Sequence, residues 1–122
     1  MTLRAGLAAL ALAPALAACG PGAQEAAGPG GDAAAGRAAL QAHDCGVCHR
    51  IPGVRGAHGR VGPPLAGFGK RIYIAGRFPN GEAMLVRWIM DPPALDRATA
   101  MPAVGVDEKE ARAMAAYLLS LR

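Results

Sequence analysis

Cys45 and Cys48 are separated by two residues, and His49 follows the second thiol at once, in the run Asp44-Cys45-Gly46-Val47-Cys48-His49. Three kinds of chemistry use thiols at this spacing: a zinc corner, a redox dithiol and covalent attachment of haem. A structural zinc site takes four Cys or His ligands. Here Cys45, Cys48 and one of His43, His49 or His58 supply three, and no second CxxC or HxxxH pair follows. A thioredoxin-like dithiol belongs in a βαβ context, and no strand pattern is convincing in this chain. Haem attachment accounts for every residue type: the thiols form thioethers to the two vinyl groups, and the adjoining imidazole becomes an axial ligand of the iron.

The elements that must position this motif are helical. Asp32 is placed to cap a helix running from Ala33 to Cys45. A second helix is expected from Asn80, with Glu82 favourably placed in its first turn, Met84, Leu85, Trp88 and Ile89 at helical spacing, and Pro92-Pro93 as its stop. A third begins at Asp107, where Glu110 completes a capping box, and carries Ala111, Met114, Ala115, Leu118 and Leu119 as an apolar stripe. Between Ile51 and Phe78 the chain is rich in Gly and Pro and has no long periodic run. An all-α domain with such loops wraps them around something.

Composition agrees. The 122 residues hold one Trp, two Tyr and two Phe, and the 52% apolar fraction leans on alanine. So thin a core calls for a metal or cofactor as a staple. Of 13 basic and 9 acidic residues, 12 and 7 lie from Gly36 onward, so the folded part is basic. That surface suits an acidic protein partner. The arginines form no run and are not interleaved with aromatics, which excludes nucleic acid as the expected partner.

From Gly36 to Arg122 the chain resembles the class I cytochromes c. The resemblance rests on Cys45-Gly46-Val47-Cys48-His49, then Gly62-Pro63-Pro64-Leu65-Ala66-Gly67, then Trp88 and the segment Thr99-Ala100-Met101-Pro102. It implies an all-α class I fold with three main helices and long Gly/Pro-rich loops around one haem c, bound through Cys45 and Cys48. It implies that the carbonyl of Pro63 orients His49, that Met101 is the distal ligand, and that Thr99 binds a propionate. Met84, Met90, Met114 and His58 are rivals to Met101. Trp88 packs along the haem near Met101 or serves the core alone. Gly36 is expected to meet Tyr117 on the last helix, and Arg71, Tyr73 and Arg77 are candidates for propionate contacts.

Residues 1–18 read as an export signal: Arg4 precedes an apolar Leu/Ala stretch too short for a confident membrane span. It ends in Leu16-Ala17-Ala18-Cys19, which resembles a bacterial lipobox, with Cys19 as the lipidated residue; cleavage after Ala15-Leu16-Ala17 is the alternative. Residues 19–35 then form a linker. Its Gly/Pro/Ala portion, residues 20–31, buries too little to order and reaches roughly 20 Å as a flexible chain. The expected function is one-electron transfer by a periplasmic, membrane-tethered monohaem carrier that serves redox protein partners and has no small-molecule substrate. A soluble periplasmic form follows if Cys19 is not lipidated. The competing function is a haem sensor or peroxidase-like enzyme whose distal Met leaves the iron readily.

Overall fold

The computed structural model describes residues 31–122. The expected signal segment and residues 19–30 of the expected linker, Cys19 included, lie outside the described residues, and Ala33 to Ala35, expected as linker, open the first helix. Within them the chain forms five α-helices, three of nine or more residues and two of four, with one short hairpin.

Helix α1 spans Ala33–Ala42. The Asp32 carboxylate accepts from the Ala34 and Ala35 amides at 2.9 and 3.2 Å, which satisfies two otherwise orphaned donors. The helix stops three residues short of Cys45. Asp44 adopts a left-handed conformation (φ 53°), which an aspartate tolerates better than most residues, and this breaks the helix before the motif. The motif then starts a separate turn, α2 (Cys45–Cys48).

The long connection after α2 folds back on the motif. The Gly59 amide donates to the Gly46 carbonyl at 3.0 Å, Gly62 to Cys48 at 2.8 Å and Leu65 to Arg50 at 2.8 Å. A 3-10 turn (Phe68–Lys70) leads to an antiparallel hairpin, β1 (Tyr73–Ile74) with β2 (Phe78–Pro79). Ala75 and Gly76 both have positive φ between these strands, the pattern of a type I′ hairpin turn. Strands of two residues leave no alternation in the sequence, so the expectation of no strand misses them.

Helix α3 spans Glu82–Met90, two residues later than expected. Asn80 does not cap it. Its amide group donates instead to the carbonyls of Phe68 and Arg71, at 3.1 and 3.0 Å, and closes the loop before the hairpin. Pro92 ends α3 but also opens a short helix, α4 (Pro92–Leu95), capped by the Asp91 carboxylate on the Ala94 amide at 3.1 Å. Proline suits a first helical position, where its missing donor costs nothing.

Helix α5 (Glu108–Ser120) has its capping box formed by Asp107 and Glu110. It packs against α1, α3 and the 3-10 turn and contributes Ala111, Met114, Ala115 and Leu118 to a core that includes Leu40, Ile74, Leu85 and Ile89. Gly36 meets this helix at the backbone of Ala113, where an added Cβ would stand 1.9 Å from the carbonyl oxygen. Tyr117 is therefore not the partner at that crossing. Its hydroxyl donates to the Pro52 carbonyl at 2.7 Å and pins the loop after the motif to α5. Tyr117→Phe is expected to cost about 1 kcal/mol, the usual net value of one such bond. Denaturant unfolding checks this, with the visible spectrum unchanged.

Candidate functional site

The turn of α2 holds the motif by local bonds: the Val47 amide donates to Asp44 and the His49 amide to Cys45, both at 3.0 Å. His49 leaves the turn in an extended conformation. Its Nδ1 lies 2.8 Å from the Pro63 carbonyl oxygen. A carbonyl can only accept, so Nδ1 carries the proton and Nε2 keeps a free lone pair. The ring lies against Gly62, where a Cβ would come within 2.3 Å of Cε1 and 2.6 Å of Nδ1. No side chain other than hydrogen fits there while the ring stays where it is.

A cavity of about 350 Å³ adjoins the motif. Leu40, Leu65, Phe68, Ile74, Ile89 and Leu118 supply much of its apolar wall, together with Trp88. Cys45, Cys48, His49, Thr99 and Met101 line the same space. The expected attachment residues, the imidazole, the thioether and Trp88 are therefore brought to one cavity by α2, α3 and the segment after α4. Pro63 also lines it, bonded to His49. Cys45 and Cys48 are both partly buried and form no disulfide with each other, so both sulfurs are available for thioethers. Before attachment, burial pushes the Cys45 thiol above its ordinary value, and the neighbouring Asp44 charge adds to this.

Thr99 Oγ1 accepts from the Met101 amide at 3.1 Å, which leaves its own hydroxyl proton available to another acceptor. Trp88 is nearly buried, with its ring centroid 5.8 Å from that of Phe78. Of the rivals to Met101, Met114 also lines the cavity, from a fully buried position on α5. Met84 and Met90 pack against the core, and His58 forms an isolated bridge with Arg50. Among the described residues no three His, Cys, Asp or Glu side chains come together as a metal cluster.

The three propionate candidates part company. Arg71 is the one Lys or Arg among the described lining residues. Its guanidinium lies over the Phe68 ring, 5.2 Å from the centroid, and donates to the Pro64 carbonyl. Tyr73 is half exposed and lies outside the lining set. Arg77 is paired with Asp96 at 2.9 Å. Sequence reasoning missed Gly62 as the seat of the imidazole and His43, which lines the cavity and pairs with Glu110 at 3.1 Å. The direct adjacency of Gly62 to Pro63 was the available signal for the first.

A covalently attached haem fits these residues. Two thiols and an imidazole with its second nitrogen free would hold it against an apolar wall, and the Met101 thioether lines the same space. Among the described residues, no helix is long and apolar enough to cross a membrane.

The described residues match a family model almost end to end: residues 33–122 fit the one described as Cytochrome c. The chain is also similar to cytochrome c oxidase subunit 2 of Alkalihalophilus pseudofirmus, 36% identical over 88 residues. The aligned part is 71% of this chain and 25% of that relative, so the chain spans about a quarter of the relative's length. Family membership implies a class I fold and a covalently bound haem c, for which Cys45, Cys48 and His49 are the CxxCH motif. The match runs through the motif, the loop that folds over it and the closing helix, and on it the chain belongs to the cytochrome c family.

Proposed function

We propose that the chain is a monohaem electron carrier on the periplasmic side of a bacterial membrane, with His49 and Met101 as the axial ligands. One observation carries this reading: the 2.8 Å bond from His49 Nδ1 to Pro63 fixes the tautomer that leaves Nε2 free, beside a cavity that Met101 also lines. Bound haem supplies the one-electron couple of its iron. His49 and Met101 would hold its iron from the protein and would leave no position for substrate or oxygen. The Met101 thioether favours the reduced state. The apolar wall disfavours the additional charge of the oxidised state, and both effects raise the potential. Arg71 is the cation available to a propionate, and Thr99 offers a hydroxyl proton.

The partners in this reading are redox proteins with acidic docking surfaces. The basic balance from Gly36 onward supports it, as does the similarity to an oxidase subunit. Encounters of this kind are small and brief, because turnover requires release. Leu16-Ala17-Ala18-Cys19 supports a lipid tether at Cys19. At least two acyl chains make such an anchor stable, because one alone is marginal.

Protein purified from membranes is expected to carry the mass of one haem that survives acid extraction, and to titrate as a single reversible one-electron couple. Carbon monoxide binding by the reduced protein at neutral pH would put Met101 off the iron and favour the sensor or peroxidase-like reading. Cys19→Ser is expected to move the protein to the soluble periplasmic fraction.

A further inference from the structure

Every hydrogen-bonding group of Asp96 is engaged. Its amide donates to the Pro92 carbonyl at 2.9 Å, and its carbonyl accepts from the Thr99 amide at 3.1 Å. One carboxylate oxygen accepts from the Ala98 amide at 3.0 Å and the other from Arg77 Nη1 at 2.9 Å. The Asp96 side chain keeps 16% of its exposure, against 63% for Arg77. The Ala98 amide and then Arg77 hold its carboxyl below the usual carboxylate range, so the pair is charged at neutral pH.

This residue joins two walls of the cavity. Arg77 comes from the hairpin turn, whose Ile74 and Ala75 line the cavity. Thr99 and Met101 line it from the other segment, and Thr99 Oγ1 accepts from the Met101 amide at 3.1 Å. Beyond Thr99 hydrogen bonds are sparse: among the described residues, the Met101–Thr99 bond is the only one made by residues 100–106. Met101 packs against the core, and the hydrogen bonds described for its segment run through Thr99 to Asp96, which Arg77 ties to the hairpin.

We infer that Arg77 and Asp96 are positioning residues for Met101, which tie its segment to the hairpin and keep the thioether in place against competing ligands. The inference rests on Met101 being the distal ligand. Without the Arg77–Asp96 tie, residues 97–101 detach from the opposite wall more often, and each opening presents the iron to an outside ligand.

The test uses ferric holoprotein and imidazole as the competing ligand, with Arg77→Ala, Arg77→Lys, Asp96→Ala and Met101→Ala beside the wild type. Arg77→Ala is expected to bind imidazole about three- to five-fold more tightly than wild type, the scale of one partly exposed ion pair. Asp96→Ala should exceed this because the link to Ala98 is lost as well, and Arg77→Lys should recover most of the wild-type resistance. Hydrogen exchange at the Met101 and Thr99 amides should accelerate in the same order. A general loss of stability would not confine the change to these amides. If wild type binds imidazole as readily as Met101→Ala, Met101 is not the ligand, and the inference falls with that reading. If wild type resists and Met101→Ala does not, yet Arg77→Ala behaves as wild type, the inference alone is overturned. Because the Arg77 side chain is largely exposed, its replacement decides the matter even if Asp96→Ala fails to fold.

Discussion

Met101→Ala is expected to abolish the sulfur-to-iron band in the red region of the ferric spectrum. It should also lower the reduction potential by at least about 59 mV, a tenfold change in the preference for ferrous over ferric iron. The reason is the softness of the ligand. A thioether stabilises the reduced state more than water or hydroxide can, so its removal weighs on one oxidation state. The reduced variant should also bind carbon monoxide, because one axial position is open. The informative control is Met114, the other methionine that lines the cavity. It is fully buried on α5 among Leu118, Ala111 and Ala115, a core-filling position. Met114→Leu conserves volume and should cost less than about 1.5 kcal/mol, with band and potential retained. If Met114→Leu removes the band and Met101→Ala keeps it, the two methionines exchange roles. If neither does, the sulfur comes from another methionine, Met84 or Met90; a wild type that itself lacks the band has no thioether on the iron.

Much of this arrangement was legible in the sequence, for reasons that differ by residue. Asp32, Asp107 and Glu110 announce helix starts because capping is local chemistry, and those caps form. Cys45, Cys48 and His49 carry their meaning in their spacing, and Pro63 carries its own through its place after Gly62. The illegible parts depend on long-range geometry. Asp44 reads as one more polar residue in a helix, yet its left-handed backbone separates α1 from the motif turn. Asn80 looks like a helix cap and instead ties two carbonyls twelve and nine residues away. The pairing of Arg77 with Asp96 crosses nineteen residues and follows no periodic rule. Gly36 was legible as a close-approach glycine, but its partner was not, because register between crossing helices is fixed in three dimensions.

That register gives Gly36→Ala an expected effect opposite to the usual one. In an exposed helix interior, replacing Gly by Ala stabilises by about 1 kcal/mol through backbone entropy. Here the new methyl would sit 1.9 Å from the Ala113 carbonyl oxygen and 2.9 Å from the Met114 amide nitrogen. Both are backbone atoms of α5 and have no rotamer by which to yield. The helices must separate, which loosens contact around Leu40, Met114 and Leu118, all of them buried. Overpacking of a close interface costs about 1–3 kcal/mol, and uncovering those side chains adds to it. The net expectation is a loss of about 2 kcal/mol in denaturant unfolding of the holoprotein. Leu40, Met114 and Leu118 also line the cavity, so the spectrum should report the same displacement as a weakened sulfur-to-iron band. Ala35, one position earlier and exposed, is the contrast. Ala35→Gly should lose only the propensity, about 1 kcal/mol, with the band intact. A Gly36→Ala protein as stable as wild type would mean that α1 and α5 do not cross at Ala113, and the walls those helices give the cavity would have to be placed differently.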